Sequence, residues 1–173
     1  MIMPRGAGQL LLPASPFFIA FSLLVASGLS LLPLGRHAAM PDLLALVVVF
    51  WNVYQPRRVG VGTAFVFGLL LDVHQGALLG QHALAYTMLS FAATSFHRRL
   101  LWFGMFEQAL QMLPLFFAAH AVSLAVRLLA GDMFPGWWLL AAPLAEALLW
   151  PPVVLLLLAP QLRAPDPDQN RPL

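Results

Sequence analysis

The sequence predicts an all-α, polytopic membrane protein with six transmembrane helices and both termini in the cytoplasm. Three observations carry that prediction. Apolar residues make up 61% of the 173 residues and charged residues only 9%, against about 25% charged in an ordinary soluble domain. Uncharged stretches recur at lengths that suit bilayer crossings of about twenty residues. The arginines fall mainly in alternate connections, as the positive-inside rule requires.

Between Arg5 and Arg36 no residue is charged, and Phe17 to Leu34 supplies a first span. A cleaved signal peptide is the competing reading, since Arg5 precedes an apolar run with small residues. Signal h-regions usually stop at about 7–15 residues, and this run is longer. The segment is therefore read as a membrane helix.

Pro41-Asp42 has the form of a helix entry, with Asp42 as N-cap. Leu43 to Tyr54 follows, apolar apart from Asn52, and Pro56-Arg57-Arg58 ends it. Such a helix rises only about 21 Å, so it either starts earlier, near His37, or thins the bilayer locally.

Val59 to Phe96 contains one charge, Asp72. That length suits two helices joined by a tight turn, placed at Gly76 to Gly80 where glycines cluster. The third helix then covers about Val59 to Gln75 and the fourth about Gln81 to His97, closed by Arg98-Arg99. A fifth runs from about Gly104 to Ala130 with Pro114 as a kink site, and Gly131-Asp132 turns out of it. Trp137-Trp138 opens the sixth as an interfacial anchor, which ends at Leu158 to Pro160. Residues 1–163 form one transmembrane domain. The Pro-rich, polar tail from Ala164 to Leu173 reads as disordered.

Orientation follows from the arginines, which account for all nine basic residues. Arg5, Arg57, Arg58, Arg98, Arg99, Arg163 and Arg171 fall on one side, Arg36 and Arg127 on the other. That asymmetry places both termini in the cytoplasm. The connections are short, so no soluble catalytic domain lies on either side.

Several function classes are excluded. A formal charge of +2, with nowhere three basic residues together, gives no nucleic-acid surface. Zero cysteines exclude disulfides, thiolate zinc sites and a thiol nucleophile. No nucleophile elbow, phosphate loop or paired Asp motif is present. Ser22, Ser27, Ser30, Ser90, Ser95 and Ser123 have no base within a helical turn, and their role is helix packing. The chain is read as non-enzymatic, without metal or cofactor.

The polar residues inside the spans each need an explanation, because an ionisable group at mid-bilayer costs at least about 2.5 kcal/mol. Glu146 is the deepest, about 13 Å along the helix from Trp137. The simpler reading is a neutral carboxyl bonded to a neighbouring helix; the sharper one is a proton or substrate site.

Asp72 stands in a run where small or special residues recur every fourth position: Gly60, Ala64, Gly68, Asp72, Gly76 and Gly80. Glycines at that spacing allow close backbone approach, forming a packing or partner seam of Gly60, Gly68, Gly76 and Gly80. Two readings of Asp72 stand. It either bonds to the adjacent turn, or lines a polar pocket with His74, Gln75, Gln81 and His82. His74 and His82 have no metal-ligand spacing. His120 stands alone on the fifth helix and reads as a hydrogen-bonded interior histidine, and Glu107, Gln108 and Gln111 read as interfacial.

The stretch Pro41-Asp42-Leu43-Leu44-Ala45-Leu46, with Val59-Gly60-Val61-Gly62, Gly68-Leu69-Leu70-Leu71-Asp72, Gly76 and Gly80-Gln81-His82-Ala83-Leu84, resembles the MreD family of bacterial rod shape-determining membrane proteins. The specific part is the core around Asp72; the second half matches in hydropathy. The resemblance implies a multi-pass protein of the bacterial inner membrane that binds the bitopic protein MreC. Through MreC it would couple MreB filaments to RodA and a class B penicillin-binding protein in lateral-wall peptidoglycan synthesis. It also implies a fold similar to the six-helix substrate-binding subunits of energy-coupling-factor vitamin transporters. The family-like positions are Pro41, Asp42, Gly60, Gly68, Asp72, Gly76 and Gly80, and no catalytic residue comes with them. A solute-binding transporter subunit using the pocket near Asp72, His74, Gln75 and His82 is the alternative. Membrane lipid is the expected surrounding partner.

Overall fold

The computed structural model describes residues 14–32 and 40–161. Over these the chain is helical, with no strand among the described residues. Six helices follow in order: α1 (Pro16–Leu31), α2 (Leu43–Tyr54), α3 (Val61–Gln75), α4 (Gln81–Leu100), α5 (Met105–Leu129) and α6 (Ala141–Leu158). The expected tail, the arginines at 5, 36, 163 and 171, and the earlier start of the second helix near His37 all fall outside the described residues.

Each helix begins where local chemistry stops the chain from continuing as a loop. Ser15 accepts from Phe18 N–H at 3.1 Å, and Pro16 follows at the first helical position, where its missing N–H costs nothing. Asp42 is the N-cap of α2, accepting from Leu44 and Ala45 N–H at 3.1 Å each. The Glu107 side chain reaches back to Gly104 N–H at 2.9 Å at the start of α5. The sixth segment opens differently from expectation. Trp137–Leu140 forms a 3-10 turn that leads into α6, with both tryptophans exposed.

α2 is the hub. Although only 12 residues long, it packs against α1, α4 and α6. Leu44, Leu46, Val48, Val49, Phe50, Trp51 and Val53 are all buried. A helix apolar on every side belongs at the centre of a bundle, and this explains how a short helix is held. The Trp51 indole N–H donates to Ser22 Oγ at 2.8 Å, fastening α1 to it. Just beyond the C-terminal end of α2 the Arg58 side chain donates to the Ala14 carbonyl.

Around this hub, α3 and α4 form a hairpin, α4 meets α5, and α5 meets α6. Leu24, Phe65, Val66, Phe91, Leu110, Leu148 and Leu156 are exposed on the outside of these helices. So much outward apolar surface exceeds what water-exposed monomers carry and is compatible with a membrane protein. Met105–Leu129 and Trp137–Gln161, each 25 residues, are long and apolar enough to cross a membrane.

Candidate functional site

The α3–α4 hairpin shows why small residues recur along α3. Within the helix, steps of four reach Ala64, Gly68 and Asp72, and all three are buried. A Cβ on Gly68 would lie 2.5 Å from Ala83 Cα and 2.7 Å from its amide nitrogen. The two backbones touch at that point. The other glycines of the expected seam do different work, because α3 extends only from Val61 to Gln75. Gly60 is the N-cap residue, and Gly76 and Gly80 build the turn, with φ of 62° and 104°. Side chains rarely adopt that left-handed backbone.

Asp72 completes the turn. Its carboxylate accepts from the N–H groups of Gly80 at 2.8 Å, His82 at 2.7 Å and Ala83 at 3.3 Å. Its Oδ1 is also 2.8 Å from His82 Nδ1. Gly80 has no side chain to cap α4, so Asp72 supplies the acceptor from the neighbouring helix. Placed against a helix N-terminus, a carboxylate meets both free donors and the positive end of the dipole.

A second polar cluster lies deeper and joins four elements. The Asp42 N–H donates to Glu146 Oε1 at 3.0 Å, and His120 Nε2 is 2.8 Å from the same oxygen. The Tyr86 hydroxyl donates to Asp42 Oδ2. Asp42 therefore caps α2 while meeting α4 and α6, and Glu146 joins α6 to α5. Tyr86 is 3% exposed and Glu146 1%. Burial of that degree is tolerable for carboxyls only with such partners.

Between these clusters is a cavity of about 970 Å³, at the end of the bundle that carries the α3–α4 turn. Asp42, Tyr86, His120 and Glu146 line its depth. His74, Gln75, Gln81 and His82 also line it, so four of the five pocket residues expected from sequence share one cavity. Asp72 is not among its lining residues: it is fully buried and turned into the hairpin. Arg127 and Asp132 stand at the α5–α6 side, 3.5 Å apart.

Sequence reasoning missed two features. Asp42, Tyr86, His120 and Glu146 are far apart in the chain, and nothing in their spacing signals a cluster. Gln108, expected at an interface, is buried. Its Oε1 accepts from Tyr54 Oη at 3.4 Å and from the Trp150 indole at 3.3 Å. Its amide donates to the Phe103 carbonyl at 3.1 Å. Gln108 thus ties α2, α5 and α6 at the opposite end. Asn52 and Ser90 are buried with side-chain polar atoms that find no hydrogen-bond partner among the described residues.

Comparison with known proteins decides the family. The family described as rod shape-determining protein MreD matches residues 7–159. The chain belongs to the MreD family. It is also 29% identical over 141 residues to the rod shape-determining protein MreD of Haemophilus influenzae, covering 82% of this chain and 85% of that protein. No solved structure matches the chain. As an MreD-family member, the chain is a rod shape-determining protein. The residues that carried the resemblance take structural positions: Asp42 caps α2, Gly68 meets Ala83, and Asp72, Gly76 and Gly80 form the hairpin turn.

Proposed function

We propose that this chain is a non-enzymatic, multi-pass component of the bacterial rod complex in the inner membrane. It binds MreC, and through MreC it connects MreB filaments with RodA and a class B penicillin-binding protein. The observation that carries this reading is the MreD-family match over residues 7–159. The geometry supports it in a specific way. The Asp72 carboxylate is spent on the α3–α4 turn, and Gly68 brings two helix backbones together. A rigid, largely apolar surface is what a membrane-embedded partner helix packs against.

The reading includes six spans with both termini in the cytoplasm, an arrangement like that of energy-coupling-factor substrate-binding subunits. The arginine asymmetry supports that orientation. It makes the cavity end of the bundle the outward-facing one, since Arg57, Arg58, Arg98 and Arg99 lie at the other. The transporter-subunit alternative draws no support from the family match.

Affinity purification from the native host in mild detergent, with mass spectrometry of the co-purifying proteins, tests the proposal. Recovery of MreC together with RodA is the expected result. Recovery of an ATPase pair of the transporter type, without MreC, would overturn it.

A further inference from the structure

We infer that the cavity between α2, α4, α5 and α6 is a binding site for an organic ammonium group, seated on Glu146. The inference stands on the cavity itself and does not depend on the partner reading above.

Charge comes first. Among the described lining residues the carboxylates are Asp42, Asp132 and Glu146, and the one arginine is Arg127. Arg127 pairs with Asp132, which leaves Asp42 and Glu146 with no guanidinium partner among the described residues. Of the described lining histidines, His120 is the one bonded to them, while His82 is held by Asp72 and His74 lies at the hairpin edge. Two carboxyls joined through the Asp42 N–H, out of bulk water, favour an additional positive charge and reject an anion.

Geometry then singles out Glu146. Its Oε1 is occupied by the Asp42 N–H and His120. Its Oε2 accepts no hydrogen bond among the described residues, although the side chain is only 1% exposed. Asp42 differs, because Oδ1 is spent on the α2 N-terminus and Oδ2 on the Tyr86 hydroxyl. An unpartnered carboxylate oxygen on a cavity wall is the acceptor that an ammonium N–H completes, and such charge-assisted bonds are the strong ones.

Size and lining define the rest of the ligand. About 970 Å³ is the upper range of small-molecule sites and far exceeds a bare cation. Leu43, Leu71, Leu89, Leu139 and Trp138 provide apolar wall. The ligand is therefore an amphiphile with an amine at its buried end. A phosphatidylethanolamine headgroup and a free alkylamine both carry that chemistry.

The test uses the full chain purified in detergent, titrated with dihexanoyl-phosphatidylethanolamine, hexylamine and dihexanoyl-phosphatidylglycerol. Thermal stabilisation is the readout. Saturable stabilisation by at least one amine and none by phosphatidylglycerol is expected. Response to the lipid alone assigns a headgroup, and response to hexylamine assigns a free amine; either supports the site. Glu146→Gln should weaken binding about 30-fold or more. Ser123→Trp fills the cavity while keeping all four network residues, and should abolish binding even if Glu146→Gln fails to fold. No saturable response to either amine, equal response to phosphatidylglycerol, or wild-type affinity in Ser123→Trp would overturn the inference.

Discussion

Gly68 of α3 faces Ala83 of α4 so closely that a methyl group on Gly68 would lie 2.5 Å from the Ala83 Cα. The atom in the way is backbone, so no side chain can rotate aside. Gly68→Ala should cost about 1–3 kcal/mol through overpacking, and Gly68→Leu should force the hairpin apart. Lower thermal midpoints in detergent, and loss of MreC binding and rod shape with Gly68→Leu, are the expected outcomes. Wild-type-like complex formation and rod shape would count against the role given to this contact.

Asp72 holds the turn with one carboxylate serving three backbone donors and an imidazole. Asp72→Ala leaves those donors without an acceptor, at a cost of about 2–3 kcal/mol. Asp72→Asn keeps one acceptor oxygen and should lose less. Amide hydrogen exchange checks this directly: protection at residues 80–83 should fall in Asp72→Ala while the middle of α4 stays protected.

Glu146 presents the acceptor for the Asp42 N–H at the start of α2. Glu146→Leu removes it and orphans a donor, which costs about 1–3 kcal/mol. Glu146→Gln preserves a carbonyl oxygen at the same place and should remain closer to wild type in stability. Thermal unfolding of the two variants separates them. Equal loss in both would mean that the charge, rather than the acceptor, holds the helices together.

Asn52 is buried in the hub helix, and its amide has no partner among the described residues. Asn52→Leu therefore removes an unsatisfied polar group while keeping the number and branching of side-chain heavy atoms, its bulkier methyls asking only a small local adjustment. The variant should be more stable by about 1–3 kcal/mol, seen as a higher thermal midpoint. A lower midpoint would contradict this account of Asn52.

The helices were legible because hydropathy and chain punctuation act locally. Leu43 to Tyr54 matched residue for residue, with Asp42 capping as its position beside Pro41 implied. Gly76 to Gly80 was readable as the turn because clustered glycines rarely serve anything else. The expected pocket was partly legible too, since His74, Gln75, Gln81 and His82 share a turn and so share a cavity edge. Of its two readings, Asp72 takes the bond to the adjacent turn rather than the pocket, because an acceptor near an uncapped helix start goes to the backbone amides first. Of the deeper cluster, Glu146 bonded to a neighbouring helix and His120 in the interior were legible one by one, but their meeting with Asp42 and Tyr86 was not. Asp42 and Glu146 are 104 residues apart in the chain, and only the packing of α2 against α6 brings them together. Gln108 was misplaced for the same reason: a glutamine near a helix entry looks interfacial until α2 and α6 cover it.

Direct binding between this chain and MreC is the central claim, and it is measured best with purified components. Full-length MreC and this chain, mixed in detergent and separated by size exclusion, should co-elute as a defined complex. The same mixture with Gly68→Leu should elute as separate species, with each protein monodisperse. Separate elution of wild-type chain and MreC across detergents that keep both folded would contradict the account.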